Sequence, residues 1–198
     1  MAGYVIFDID VRDPAGYEEY RALGAPTVPE HGGRFIVRGG QATTLEGDWV
    51  PRRVVVIAFH DVDAARRWYG SPRYQAAKAI RERTARSRAV LAAGVGGAEP
   101  GRDQAGYAVI DVAVQDADRF AQYRSVGVPT LERHGARVLV RTDASEPLEG
   151  DWCPQRLVVL EFDSVERART WHGSSEYQAA IEIRKTAARI ESIVVQGL

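Results

Sequence analysis

Only one cysteine, Cys153, occurs among the 198 residues, which excludes an internal disulfide and any metal site built from several thiolates. An excess of one charge sign is also missing. Lys plus Arg number 26 against 27 Asp plus Glu, a formal net charge of −1, so nothing drives the chain toward nucleic acid or an anionic membrane. No apolar run approaches the ~20 residues of a spanning helix. No basic segment or signal core precedes the strand pattern that begins at Tyr4. A soluble, cytoplasmic protein is expected, with no nucleic-acid or membrane partner. The phosphate-binding P-loop, the nucleotide fingerprint after a strand and the Gly-x-Ser-x-Gly element are all absent. The four histidines (His31, His60, His134 and His172) are scattered without His-x-x-x-His spacing, which argues against a histidine-rich metal site. One histidine joined by carboxylates from several strands stays open. What is present is ordinary globular composition, 45% hydrophobic and 27% charged, which excludes a disordered chain.

The dominant feature is a repeat. Shifting the sequence by 103 residues lays Gly3-Tyr4 on Gly106-Tyr107 and His31-Gly32 on His134-Gly135. The same shift lays Glu46-Gly47-Asp48-Trp49 on Glu149-Gly150-Asp151-Trp152 and Tyr74-Gln75-Ala76-Ala77 on Tyr177-Gln178-Ala179-Ala180. Residues 3–95 align with 106–198 without a gap, and 40 of the 93 positions are identical, so the chain is a tandem duplication. The expected organisation is one repeat over 1–95, a Gly/Pro-rich linker over 96–105 and a second repeat over 106–198. A flexible linker of about ten residues reaches roughly 16–19 Å, enough to set two small units side by side.

Within each copy the pattern alternates strands and helices. Tyr4 to Val11 reads as a strand whose odd positions are apolar, with Asp8 and Asp10 on the other face. Asp13-Pro14 supplies a cap and an N1 proline for a helix that runs toward His31-Gly32 and is broken by Pro26 and Pro29. Arg34–Arg38 makes a second strand, and a hairpin-like connection carrying Glu46-Gly47-Asp48-Trp49 follows. Arg53–Phe59 makes a third strand whose unbroken apolar run implies burial on both faces. Asp63 opens a helix containing Trp68, Ser71-Pro72 restarts it, and Ala89–Ala92 closes the copy as a short strand. The order β-α-β-β-α-β is the ferredoxin-like split unit of an α+β fold. Both helices of such a unit cover one sheet face, and the bare face needs a lid. Apolar burial stabilises by about 25 cal/mol per Å², and the second copy is the obvious cover. A copy from another chain would serve equally, so a homodimer stays open.

Each copy resembles the family catalogued as domain of unknown function 1330, within the dimeric α+β barrel superfamily. The resemblance rests on the Gly-Tyr strand, Tyr20-Arg21, His31-Gly32-Gly33-Arg34, Val37-Arg38-Gly39-Gly40, Leu45 to Trp49, Arg52-Arg53 and Trp68 to Tyr74. It implies an intramolecular pseudo-dimeric barrel with a small-molecule pocket at each sheet. The superfamily includes cofactor-free monooxygenases, polyketide cyclases, lactone isomerases, haem-binding enzymes and ligand sensors, and fold does not choose among them. The second copy departs from the pattern at Thr142-Asp143, His172 and Ser175, which puts equivalence of the two pockets in question.

Candidate site residues come in pairs. Histidine as a residue type titrates near neutrality, so His31 and His134 suit acid–base work, although a histidine at a helix C-terminus also satisfies free carbonyls. Asp8 and Asp111 interrupt apolar strands, where a carboxylate is costly unless paired. By alternation Arg38 and Arg141 share a face with Arg34 and Arg137, so an Asp–Arg pair across the sheet stands against an Arg fork that holds a substrate carboxylate or enolate. Tyr20 and Tyr123 could donate into a pocket mouth or pack on the sheet. Trp49 and Trp152 sit on the connection, as a ligand lid or folded over the barrel rim. Trp68 and Trp171 read as core, and Arg66, Arg81 and Arg86 as a solvated helix face. The expected function is a small-molecule enzyme without organic cofactor, performing proton transfer of isomerase, cyclase or lyase type in specialised metabolism. Its alternatives are a non-catalytic ligand-binding module and a cofactor-free monooxygenase.

Overall fold

The structure is a computed structural model that describes residues 1–96 and 101–198. Part of the expected linker, residues 97–100, lies outside the described residues. The first strand, β1 (Gly3–Val11), leads to α1 (Pro14–Gly24), where the Asp13 side chain accepts from the Gly16 N–H at 3.1 Å. Pro26 and Pro29 do break the helical stretch, leaving the one-turn α2 (Thr27–Glu30). Then come β2 (Gly33–Arg38), β3 (Ala42–Glu46), β4 (Arg53–Phe59), α3 (Val62–Tyr69), α4 (Pro72–Thr84) and β5 (Ala85–Ala93). The cap of α3 is Asp61 rather than Asp63, since the Asp61 carboxylate accepts from Ala64 N–H at 2.6 Å. The second copy repeats the order as β6 (Gly106–Val114), α5 (Ala117–Arg133), β7 (Arg137–Thr142), β8 (Glu146–Glu149), β9 (Arg156–Phe162), α6 (Val165–Gly173), α7 (Ser175–Arg184) and β10 (Ala188–Gln196). With Glu132 in place of Pro29, α5 runs on through the whole stretch that α1 and α2 share in the first copy.

The expected hairpin-like connection is instead a strand lent to the other copy. One sheet has the order β2-β4-β1-β5-β8 and the other β3-β10-β6-β9-β7, so each is closed at one edge by the arm of the opposite repeat. Gly39 turns the chain out of its own sheet at φ 76°, and a Cβ on Gly40 would fall 2.2 Å from the Gln196 carbonyl oxygen. Side chains cannot fit at that crossing. Lending the arm fills an edge that would otherwise expose unpaired backbone groups.

Each arm delivers a carboxylate to a buried arginine. Glu149, on β8, binds Arg81 with both oxygens, at 2.6 and 2.8 Å, and Arg81 has no exposed surface. Reciprocally, Glu46 on β3 accepts from Arg184 at 2.6 Å. The expectation that Arg81 lies on a solvated face therefore fails, because its guanidinium turns inward to meet a partner that belongs to the other copy. Between the sheets, Tyr4, Ile6, Val54 and Val56 pack against Tyr107, Val109, Leu157 and Val159, so the two bare faces cover one another. On the outer faces, Trp68 and Trp171 lie in the helix–sheet core, each donating its indole N–H at 2.9 Å to a buried threonine, Thr27 or Thr130.

Stranding one charge of a buried pair costs about 3–5 kcal/mol, whereas replacing both with apolar groups is close to neutral. Arg81→Met and Glu149→Leu should each lower stability by about that amount, and the double variant should recover most of it. Urea denaturation of the three variants measures this directly.

Candidate functional site

Two pseudo-equivalent cavities lie between the helices and the sheets. The first, of about 30 Å³, has a floor of Phe7, Ile9, Val55 and Ile57, with Tyr17 and Tyr20 from α1 on one side. Arg21, Arg38 and Arg53 stand around it. The second, of about 60 Å³, has Ile110, Val112, Val158 and Leu160 below, Phe120 and Tyr123 beside it, and Arg124, Arg141 and Arg156 around it. Each shares its arginines with an open surface depression, bounded by Arg21 and Arg38 in the first copy and by Arg124 and Arg156 in the second. Small-molecule sites usually enclose about 300–1,000 Å³, so a ligand has to part the helices from the sheet or extend into the depression.

A bulge decides which arginines reach the cavities. The β2–β4 register shifts between Phe35 and Val37, so Ile36 and Val37 both enter the inter-sheet core and the alternation restarts one step late. Arg38 consequently lies on the helix side, away from the face of Arg34, with its guanidinium 4.6 Å above the Phe35 ring. The same shift between Val138 and Val140 places Arg141 likewise. Sharing of a face by Arg34 and Arg38, read from simple alternation, is thereby corrected. So is the Asp8–Arg38 pair across the sheet: Asp8 is bound instead by Arg88, at 3.3 Å.

The carboxylates and indoles belong to the inter-sheet core. Asp8 accepts from Trp49 Nε1 at 2.7 Å and from Arg52 N–H at 2.8 Å, while Asp111 accepts from Trp152 Nε1 at 2.8 Å. Burial holds the Asp111 carboxyl above the usual carboxylate range, against the lowering influence of Trp152 and Arg88. The two indoles meet edge to face at 5.3 Å, and the Arg88 guanidinium stacks on both, at 4.5 and 4.9 Å. Trp49 and Trp152 are thus buried wedges rather than lids. His31 sits at the end of α2 with Nδ1 2.9 Å from the Thr27 carbonyl, and His134 at the end of α5 with Nε2 3.0 Å from the Glu176 carboxylate. Neither histidine lines either of these two cavities. Of the residues named from sequence, the structure brings Tyr20 with Arg38, and Tyr123 with Arg141. It does not bring His31 or Asp8, His134 or Asp111, or either of Trp49 and Trp152 to them.

Sequence reasoning missed Tyr17 and Arg53 in the first cavity, and singled out Arg21 only as the neighbour of Tyr20. Arg21 and Arg53 recur as Arg124 and Arg156, and that identity was the available signal. The Tyr17 phenol has its pKa pushed up to about 12, first by burial and then by neighbouring Tyr20, against the influence of Arg53 and Arg81. Near neutral pH it is therefore a hydrogen-bond donor and not a base. Behind it Tyr20 bonds Tyr74, whose hydroxyl accepts from Arg81 at 3.2 Å, linking the cavity to the Arg81–Glu149 pair. Tyr123 and Tyr177 pair in the same way at 3.1 Å. Among the described residues no group of His, Cys, Asp and Glu could hold a metal ion, and no helix is long and apolar enough to cross a membrane.

Two antiparallel sheets packed face to face, helices outside and arms exchanged, define a dimeric α+β barrel closed within one chain. The chain belongs to the family of domain of unknown function DUF1330, which matches residues 2–95 and again 105–198. No curated protein matches it. Among solved structures it is similar to a candidate monooxygenase from Fusobacterium nucleatum subsp. nucleatum, at 13% identity and TM-score 0.57, covering all of this chain and 92% of that one. It is also similar to a candidate monooxygenase from Lactobacillus acidophilus NCFM, at 12% identity and TM-score 0.55, covering all of this chain and 98% of that one. An anthrone oxidase-like protein matches at 13% identity and TM-score 0.54 over all of this chain and 91% of that one. Identities this low establish the shared fold.

Burial pushes the Glu149 carboxyl up, but bonds from Arg81, Ser87 and Tyr69 outweigh it and hold its pKa below the usual value. Glu46 is likewise lowered, its burial outweighed by His172 and Arg184. A depressed folded-state pKa contributes stability above the unfolded pKa, and that stability is lost as pH falls through the folded value. Urea midpoints should therefore drop on acidification below the ordinary glutamate range, and Glu149→Gln should both lower the neutral-pH midpoint and flatten that drop.

Proposed function

We propose that the chain binds a small, acidic organic molecule in its first helix–sheet cavity and stabilises the anion formed from it, as an enzyme without organic cofactor. The observation that carries this reading is the convergence of three guanidinium groups and a protonated phenol on an apolar cavity, in a chain whose charges otherwise cancel. Guanidinium forks and a phenol donor at low dielectric stabilise a developing enolate or phenolate more than they would in water. A substrate acidic enough to ionise by itself would need no protein base, which fits cavities that no histidine or carboxylate lines. Isomerisation, cyclisation and lyase-type cleavage all pass through such an anion. So does attack of a carbanion on dioxygen, the chemistry open to a cofactor-free monooxygenase.

The absence of a lining base favours one other reading, a binding module that holds the anion without turning it over. Incubating the protein with aromatic β-keto acids and polyphenols, in air and without oxygen, separates the three. Product in both conditions marks proton-transfer chemistry, product only in air marks oxygenation, and binding without product marks the module. Hydrogen bonds to a charged group are worth about 1.5–3 kcal/mol, so Arg38→Gln should lower affinity or turnover by roughly 10–100-fold. His31→Ala with His134→Ala should leave turnover within a factor of a few. Loss of turnover in a folded histidine variant would return those residues to the mechanism.

A further inference from the structure

The two cavities differ at the positions that set charge. Arg53 in the first donates to the Arg38 carbonyl at 3.1 Å and bonds Tyr17. No carboxylate meets it among the described residues, and its Nε is buried without an acceptor. Arg38, half-buried on Phe35, has no carboxylate partner among the described residues either. Of the three cations, Arg21 alone is paired, at 2.7 Å, with the exposed Glu18.

In the second cavity every one of these features has changed. Asp143 stands where the first copy has Gly40, and it binds Arg156, the counterpart of Arg53, with both oxygens at 2.5 and 2.7 Å. Phe120 replaces Tyr17, removing the phenol donor. Val138 replaces Phe35, so Arg141 has no ring to lie on, and both Arg141 and Arg124 are exposed to water, where a charge contributes little. Each cavity thus has three arginines and one paired carboxylate, but the pairing falls on the outlying Arg21 in the first copy and on the strand-borne Arg156 in the second.

Building on the reading of the cavities as ligand sites, we propose that the first cavity takes a ligand with an anionic head, a carboxylate or enolate, seated on Arg53, Arg38 and Tyr17. The second takes an uncharged, apolar ligand, because Asp143 already holds Arg156 and its other two arginines are exposed to water. Asp143 is then the residue that sets specificity, and the duplicated chain carries one anion site rather than two.

Calorimetric titration of the full chain with 1-naphthoate and with its methyl ester tests this. The carboxylate should bind once per chain, with affinity at least tenfold weaker in Arg53→Gln, while ester binding is unchanged by that variant. Asp143→Asn should free Arg156 and raise carboxylate stoichiometry to two. Two equal carboxylate sites in the native chain would overturn the inference, as would an Asp143→Asn protein that still binds one. If Arg53→Gln fails to fold, the Asp143→Asn arm decides alone, since Asp143 is exposed and its loss buries nothing. Failure of both probes to bind any form of the protein would instead sink the reading of these cavities as ligand sites.

Discussion

The reciprocal capture of Glu46 by Arg184 and of Glu149 by Arg81 is the constraint around which the two repeats are arranged. Each arginine is buried in its own copy with no carboxylate of that copy paired to it among the described residues, and such a charge is tolerated only if the other copy supplies one. Neither half can satisfy its interior alone. Arg66 and Arg169 reinforce the same arms, the first to Glu146 at 2.9 Å and the second to Thr43 at 3.1 Å. Gly47, repeated as Gly150, follows from the crossing, because it turns the chain at φ 83° where an added Cβ would meet Glu191 and the Ile190 carbonyl.

Fusion of the copies has let equivalent positions diverge where a symmetric pair of identical chains could not. Arg88 and Glu191 occupy the same place in the repeat and reach the opposing Gly-Asp-Trp turn by different means. Arg88 stacks on both indoles and pairs Asp8, whereas Glu191 accepts from the Asp48 and Trp49 backbone N–H groups at 2.6 and 2.8 Å. Glu161, fully buried, has Ala58 as its counterpart. It accepts from Tyr107 at 2.9 Å and from the Gly101 and Arg102 N–H groups, which ties the start of the second copy to its sheet. The cavities diverge in the same manner at Tyr17 and Phe120, and at Gly40 and Asp143. Asymmetry is therefore spread over the interface, the junction and the cavity walls.

Much of the candidate site was legible as residue identity and little of it as geometry. Tyr20 and Arg38 were nominated and do meet at the first cavity. Arg38 was nominated on the wrong side of its strand, because a bulge is invisible to a period-two reading and moves every later side chain to the other face. His31 recurs as His134, but the first meets its own helix end at the Thr27 carbonyl and the second the Glu176 carboxylate, contacts that identity between the copies does not reveal. Arg81 read as solvated because helix periodicity says nothing of a partner that arrives from 68 residues away in sequence.

By itself the sequence determined the duplication, the strand and helix order within each copy apart from β3 and β8, and the need of each sheet for a cover. These are local or pairwise regularities: a constant shift of 103, a cap and proline before a helix, an apolar run too long for one wet face. Tertiary structure alone decided that β3 and β8 each join the other copy's sheet, that Asp8 and Asp111 accept from the Trp49 and Trp152 indoles, and which arginines surround the cavities. Those outcomes depend on register and on contacts between residues far apart in the chain. A one-residue slip or an exchanged strand leaves composition and periodicity unchanged while it reverses what every side chain touches.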